Sequence, residues 1–334
     1  MKNINFKTFL TVISIILLIT AALLITYFSI PDYKKADVKS SQGFYFDTYI
    51  DISLYDYPSY EEADRILNEC FSICKRYEDL FSRIRPGTDI YKINSAGTSF
   101  VNVDPEVIYL LKETIKAAQI SDGEADPTIG ALSDLWKIGH EDFSLPSPEE
   151  VNSALLSVNY KNIIIENNSV RLTDPSARLD LGFAAKGYAA DKVKEYLLSQ
   201  NISSAVINMG GNILTIGTRP DGKEFTIGIK DPINPSGPPI RVEKVNDLSV
   251  VSSGNYERYS EYENKRYHHI LSTKNGYPAD SGLSQVTIIG KSSLVCDELS
   301  TICFILGYEK GSEFLDKYYP DYEAVFVDLE GNLL

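Results

Sequence analysis

Between Thr8 and Ile30 the chain runs for 30 − 8 + 1 = 23 residues without a charged side chain. In a helix at about 1.5 Å per residue such a run covers roughly 34 Å, enough to cross the hydrocarbon core of a bilayer. Lys2 and Lys7 precede the run and Pro31 with Asp32 closes it, so the positive flank predicts a cytoplasmic N-terminus with the remainder outside. Lys34, Lys35 and Lys39 beyond the run pull the other way. A cleaved signal peptide is the competing reading. The stretch is longer than a usual signal core, and no small-x-small cleavage site stands at its end. The expected layout is a cytoplasmic 1–7, a single-pass anchor at 8–30, a polar linker at 31–42, and a body at 43–334 outside the cell membrane.

Within that body, 43% hydrophobic and 23% charged residues over the whole chain exclude a mostly disordered polymer. Lys and Arg number 32 against 46 Asp and Glu, a net charge of 32 − 46 = −14, and no basic run breaks it, so nucleic acid is not an expected partner. Phe44 to Tyr55 alternates as one strand, with Phe46, Thr48, Ile50, Ile52 and Leu54 on a single face. Ser59 with Glu62 reads as a capping box for a helix carrying Leu67, Phe71, Cys74, Leu80 and Phe81. Asp104 and Pro105 start a second helix to Ile120, another begins at Pro127 and holds Trp136, and Ser147 with Glu150 caps a fourth. Asn167-Asn168 suits a hairpin turn. Further on, a helix at 182–198, strands at 205–216, 224–229 and 286–289, and a helix at 293–307 follow in mixed order. That order predicts an α+β fold in one large domain. Cys70, Cys74, Cys296 and Cys303 complete no metal set and read as small buried hydrophobes.

Four polar segments interrupt the apolar runs. Asp122 to Thr128 is a tight loop entering a helix, able to offer amides to an anion or simply to be capped by Asp126. Asp180 to Tyr188 places Lys186 in the first turns of a helix, where a cation opposes the dipole. An anion such as phosphate explains it there, and a pairing with Asp180 or Asp191 explains it equally well. His268 and His269 alternate to opposite strand faces, so one of them at most points into a cleft, where it would suit the activation of a hydroxyl. Asp297 and Thr301, at i and i+4 with Ser300 adjacent, present hard oxygens for Mg²⁺, or Asp297 is an N-cap. The glycine loops Asn208–Asn212 and Ser252–Arg258 match neither G-x-x-x-x-G-K nor G-x-G-x-x-G, which disfavours a Rossmann dehydrogenase.

Taken in order, these segments resemble the FAD:protein FMN transferases, the ApbE-like family. The resemblance runs from Gly43 to the C-terminus through Phe46-Asp47-Thr48, Phe81-Ser82, Ile93-Asn94, Asp122 to Trp136, Asp180 to Asp191, Met209-Gly210-Gly211-Asn212, Ser253-Gly254, His268-His269, Gly276-Tyr277-Pro278 and Asp297 to Gly307. It implies a T-fold-like domain of largely antiparallel sheets. It also implies an enzyme that binds FAD and Mg²⁺, breaks the FAD diphosphate, esterifies FMN to a Ser or Thr hydroxyl of a target protein and releases AMP. By motif position Asp297, Ser300 and Thr301 hold the metal with the carbonyl of Phe183. Phe46, Ile84, Glu124, Ala125, Asp126, Asp180, Lys186 and Leu271 line the FAD site, and His269 activates the acceptor hydroxyl.

The chain departs from the family pattern at Phe183, where a small residue or Thr is usual, at Ser272-Thr273 in place of Asp-Pro, and at Asn255 in place of Asp. The family's lipid-bearing Cys is missing too, which leaves anchoring to the N-terminal helix. The expected acceptor is a membrane-associated redox protein. The alternatives are a Mg²⁺-dependent FAD pyrophosphatase that uses water as nucleophile, and a non-catalytic FAD-binding subunit.

Overall fold

In the computed structural model, which describes residues 37–334, the strand expected at 44–55 is a hairpin. β1 (Lys39–Tyr45) and β2 (Thr48–Leu54) pair antiparallel around Phe46 and Asp47, whose φ angles of 53° and 56° place both in the left-handed region. A two-residue turn of this kind matches the twist of the flanking strands. It usually carries Asn or Gly, and neither stands here. Phe46 therefore lies at a turn and not on the face of Ile50, Ile52 and Leu54, and β1 occupies part of the expected linker. The anchor expected at 8–30 lies outside the described residues. Among those described, no helix is long and apolar enough to cross a membrane.

The hairpin is one edge of a seven-stranded antiparallel sheet, ordered β1-β2-β6-β7-β10-β13-β14. Its other members are β6 (Ala205–Met209), β7 (Asn212–Ile216), β10 (Ser249–Gly254), β13 (Leu283–Gly290) and β14 (Glu323–Asp328). The run at 205–216 is thus two strands, turned by Gly210 and Gly211 at φ 66° and 98°. All eight residues of β13 are buried, as befits an inner strand covered on both faces.

Helices cover one face. α1 (Tyr60–Phe81) packs Ile66, Leu67, Cys70 and Cys74 against Ile50, Ile52 and Leu54, each such side chain contributing about 1.5–3 kcal/mol by leaving water. Ser59 caps α1 by accepting from Glu62 N–H, but the Glu62 side chain bonds Arg65, so only half of the expected box forms. All four cysteines are free and buried. α2 (Asp89–Ser95), α3 (Pro105–Ile120), α4 (Gly130–Trp136) and α5 (Pro148–Leu155) follow. Asp104 caps α3, and Ser147 with Glu150 forms the full capping box of α5. α4 starts three residues later than expected.

The small sheet β3 (Val101–Asn102), β5 (Ser169–Leu172) and β4 (Ile163–Glu166) turns at Asn167, φ 51°. α6 (Ala185–Ser199), α7 (Ser293–Leu306) and α8 (Tyr308–Tyr318) complete the helical layer. The hairpin β8 (Phe225–Ile229) with β9 (Arg241–Val245) covers the opposite sheet face, and β11 (Tyr259–Tyr262) with β12 (Lys265–His268) stands apart. The α+β class and the largely antiparallel sheets match the expectation.

Candidate active site

Two segments more than a hundred residues apart meet where α6 crosses α7. Gly187 permits the approach: a Cβ added there would lie 2.3 Å from the carbonyl oxygen of Ser293 and 2.8 Å from Cβ of Asp297. One turn later Asp191 locks the register. Its carboxylate accepts from Ser293 N–H at 2.9 Å, Leu294 N–H at 3.0 Å and the Ser292 hydroxyl at 2.9 Å. These are the first amides of α7, otherwise without intrahelical partners.

The N-cap of α7 is Ser292, not Asp297. Asp297 instead sits buried in the first turns, with Oδ2 accepting from Gly187 N–H at 2.9 Å. Burial raises its pKa, while the nearby Lys186 ammonium and the Gly187 amide pull it down. Gly187 stands in the first turn of α6, where backbone N–H groups have no intrahelical acceptor, and Asp297 takes this one. The Phe183 carbonyl, just before the helix, accepts no hydrogen bond among the described residues.

Phe183, Asp297 and Thr301 all border a cleft of about 1100 Å³. Carbonyl, carboxylate and hydroxyl oxygens form a hard donor set that fits a Mg²⁺-like cation, which keeps positions for water and phosphate oxygens. Among the described residues no group of three His, Cys, Asp or Glu side chains forms a metal cluster. A site with one carboxylate relies on those other oxygens. Ser300 does not join them: it is fully buried, absent from the cleft wall, and bonded to the Asp297 carbonyl at 2.9 Å and Ser253 Oγ at 2.7 Å.

The eight residues matched to the FAD site all border the same cleft. Lys186 makes no hydrogen bond or ion pair among the described residues, and neither expected partner holds it. Asp180 is taken by Arg83 at 3.0 Å and by Gly182 N–H at 2.9 Å, and Asp191 by α7. Asp126 spends its carboxylate on its own loop and on a distant turn, accepting from Thr128 N–H at 2.8 Å, Thr128 Oγ1 at 2.6 Å and Tyr160 N–H at 2.7 Å. Glu124 faces Lys274 at 3.7 Å; burial raises its pKa and Lys274 opposes this. Phe46 donates its N–H to Glu78 at 2.9 Å, Ile84 is 60% exposed, and Ala125 and Leu271 are buried. The Ser272-Thr273 departure is a latch: Thr273 Oγ1 donates to the Gly123 carbonyl and Lys274 Nζ to the Asp122 carbonyl, each at 2.6 Å.

The two histidines part as alternation requires. His268 is buried, Nε2 bonding the Ala279 carbonyl at 3.0 Å, its ring edge-on to Phe304. His269 opens onto the cleft, and its Nδ1 lies 3.1 Å from the Arg258 carbonyl. A carbonyl only accepts, so Nδ1 carries the proton and Nε2 keeps a free lone pair. His269 keeps an exposed edge on the cleft, and desolvation of the rest of the ring, then Arg258 and Lys186, push its pKa down to about 4. The ring is neutral at pH 7.

Sequence reasoning missed Arg83, the bracket between Asp134 and Asp180, and Glu257, a carboxylate on the cleft wall without a bonded partner among the described residues. Burial raises the Glu257 pKa, Lys186 lowers it and Asp297 raises it further. Its place in the Ser252–Arg258 turn was the available signal.

With this geometry in hand, the chain can be set beside known proteins. The ApbE family profile matches residues 46–326. The chain belongs to the ApbE family. Two curated relatives named FAD:protein FMN transferase are similar to it. The Klebsiella pneumoniae protein is 38% identical over 80% of this chain and 84% of its own length, and the Treponema pallidum protein is 33% identical over 80% and 78%. The crystal structure of the ApbE protein from Thermotoga maritima superposes with a TM-score of 0.82 at 30% identity, covering 89% of this chain and 96% of that one. In this ApbE-family chain the cleft is where the family's motif residues collect, Ser300 excepted.

Proposed function

We propose that this chain is an FAD:protein FMN transferase. It moves FMN from FAD to a Ser or Thr hydroxyl of an acceptor protein, releases AMP and depends on Mg²⁺. The observation that carries the reading is the Gly187–Asp297 bond, which joins the free Lys186 ammonium and a hard-oxygen donor set in one cleft. A diphosphate under attack gathers negative charge on its oxygens, and preorganised cations aimed there lower the barrier. Lys186 supplies one such cation. Asp297, Thr301 and the Phe183 carbonyl would hold Mg²⁺, which when bound acts as a Lewis acid on the phosphoryl oxygens.

His269 Nε2 accepts the acceptor's hydroxyl proton as the oxygen attacks the FMN phosphorus. The phosphorus–oxygen bond to AMP breaks, and the proton stays on the imidazole until solvent removes it. The Arg258 carbonyl fixes the tautomer this requires. A pKa near 4 makes a weak base; the anionic diphosphate favours imidazolium and raises it toward working pH. The acceptor is expected at the membrane that the 8–30 segment would occupy.

The test incubates the full-length chain with FAD, Mg²⁺ and a candidate acceptor protein and measures the acceptor's mass. A gain equal to esterified FMN supports transfer. Steady AMP and free FMN without a mass gain point to hydrolysis, and FAD binding without turnover points to a non-catalytic subunit.

A further inference from the structure

The motif assigns Ser300 to the metal, yet its hydroxyl is committed elsewhere. Each serine hydroxyl has one proton. That of Ser300 goes to the carbonyl of Asp297, three residues back in α7, at 2.9 Å. Either oxygen can donate in the 2.7 Å contact between Ser300 and Ser253, and with the Ser300 proton on the Asp297 carbonyl it is the Ser253 proton that completes it. This direction leaves the lone pairs of Ser253 Oγ outside that bond. Among the described residues its other hydrogen-bonding contact is with Thr301 Oγ1, at 3.3 Å. Ser253 and Thr301 both border the cleft, and Ser300, with no exposed surface, does not. Ser253 is held in place as well, since β10 pairs it with Val286 of β13.

We propose that Ser253, not Ser300, provides the second hydroxyl oxygen for the divalent cation, and that Ser300 is a positioning residue that orients it. This rests on the metal reading given under Proposed function. Ser253 joins Asp297, Thr301 and the Phe183 carbonyl, and the sheet and the helix each hold one hydroxyl of the set. An octahedral cation keeps positions for diphosphate oxygens beside them.

The test uses the full-length chain and Mn²⁺ alone, read from the paramagnetic resonance of free Mn²⁺, with Mg²⁺ as competitor. Ser253→Ala should weaken Mn²⁺ binding by about a hundredfold, and Ser300→Ala by less, about tenfold, since it removes an orienting partner and not a ligand. Ser253→Cys keeps the size and places a soft sulfur at the site. It should lose Mg²⁺ affinity while gaining Cd²⁺ affinity, a reversal that loss of packing does not produce. This variant also decides the matter if Ser253→Ala fails to fold. A larger loss from Ser300→Ala than from Ser253→Ala, or an unchanged Mg²⁺ to Cd²⁺ preference in Ser253→Cys, would overturn the assignment alone. No Mn²⁺ binding by the unaltered chain would overturn the metal reading and this assignment with it.

Discussion

Replacing Gly187 with alanine drives a methyl group into the closest approach of α6 to α7 beside Asp297. The new Cβ would stand 2.3 Å from the Ser293 carbonyl oxygen, where ordinary contact begins at 3.4 Å, so α6 and α7 must separate by 3.4 − 2.3 = 1.1 Å. Both partners are backbone or Cβ atoms and cannot rotate away. Overpacking of this kind costs about 1–3 kcal/mol, offset by about 1 kcal/mol because alanine is the better helix former. Separation also stretches the Gly187–Asp297 bond from 2.9 Å, and losing a hydrogen bond to a carboxylate adds about 1.5–3 kcal/mol. The net loss of stability is about 1.5–5 kcal/mol.

Activity should suffer out of proportion, because a shift of about 1 Å between positioned groups costs on the order of 10²-fold in rate. Urea unfolding measures the first quantity and kcat/KM for flavin transfer, at a temperature where the variant remains folded, the second. Ala189→Gly, buried on the same helix, gives a control that lowers stability without the wedge and should keep turnover near normal. A Gly187→Ala chain that transfers flavin within threefold of the unaltered one would refute the claim that this crossing sets the site.

Asp191→Asn keeps the shape of the α7 clamp but turns an N–H₂ toward donors that now meet a carboxylate. At least one buried amide is then unsatisfied, so unfolding in urea should register a loss of about 2–4 kcal/mol; a change below about 0.5 kcal/mol would count against the clamp. His269 is neutral in the fold down to a pKa of about 4, against about 6.5 in the unfolded chain. The unfolded chain thus binds more protons between those values, and this group's contribution to stability falls as pH drops from about 6.5 to 4. Proton NMR, with the resonance assigned through His269→Gln, should give a midpoint well below 6 without ligand and a higher one with FAD; an unliganded midpoint at or above 6 contradicts the desolvated imidazole.

Local chemistry was legible where the signal and its effect lie within a few residues. Asp104 with Pro105, Ser147 with Glu150 and the Asn167 turn each did what their types dictate. The Phe46-Asp47 turn was hidden because neither residue is a usual turn former, so the alternation read straight through it. The ends of α6 and α4 shifted by a few residues, as frayed ends do. At the site, both capping readings failed: Asp126 closes a turn onto Thr128 while the helix it was expected to cap starts at Gly130 behind Ile129, and for Asp297 Ser292 and a carboxylate from another helix take that task. The second failure has a physical cause: Asp191 and Ser293 are brought together by packing, and no local pattern encodes their meeting. Ser300 illustrates the same limit, since its spacing suited a ligand and its partner Ser253 lies on a distant strand.

A chain of net charge −14 that binds an anionic dinucleotide poses an electrostatic question, and the arrangement of partners answers it. Several carboxylates around the cleft are already engaged: Asp180 by Arg83, Asp126 by two backbone amides, and Glu78 by Arg85 and the Phe46 amide. Lys186 and Lys230 border the same space without ion pairs among the described residues, and Arg258 has only Asp47 at 4.0 Å. Lys186 and Lys230 are therefore left to meet an anion, beside the carboxylates of Glu257 and Asp297 on the same wall, while the net charge of −14 disfavours a long phosphate polymer. The same economy governs the acceptors. Gly187 N–H, an amide of the first turn, goes to Asp297, His269 Nδ1–H goes to the Arg258 carbonyl, and Ser253 shares a hydrogen bond with Ser300. In each case one proton is committed inside the protein so that a neighbouring lone pair is kept for the cleft. Donors and acceptors set before a ligand arrives need no reorganisation during reaction, and that is the condition under which fixed dipoles stabilise developing charge.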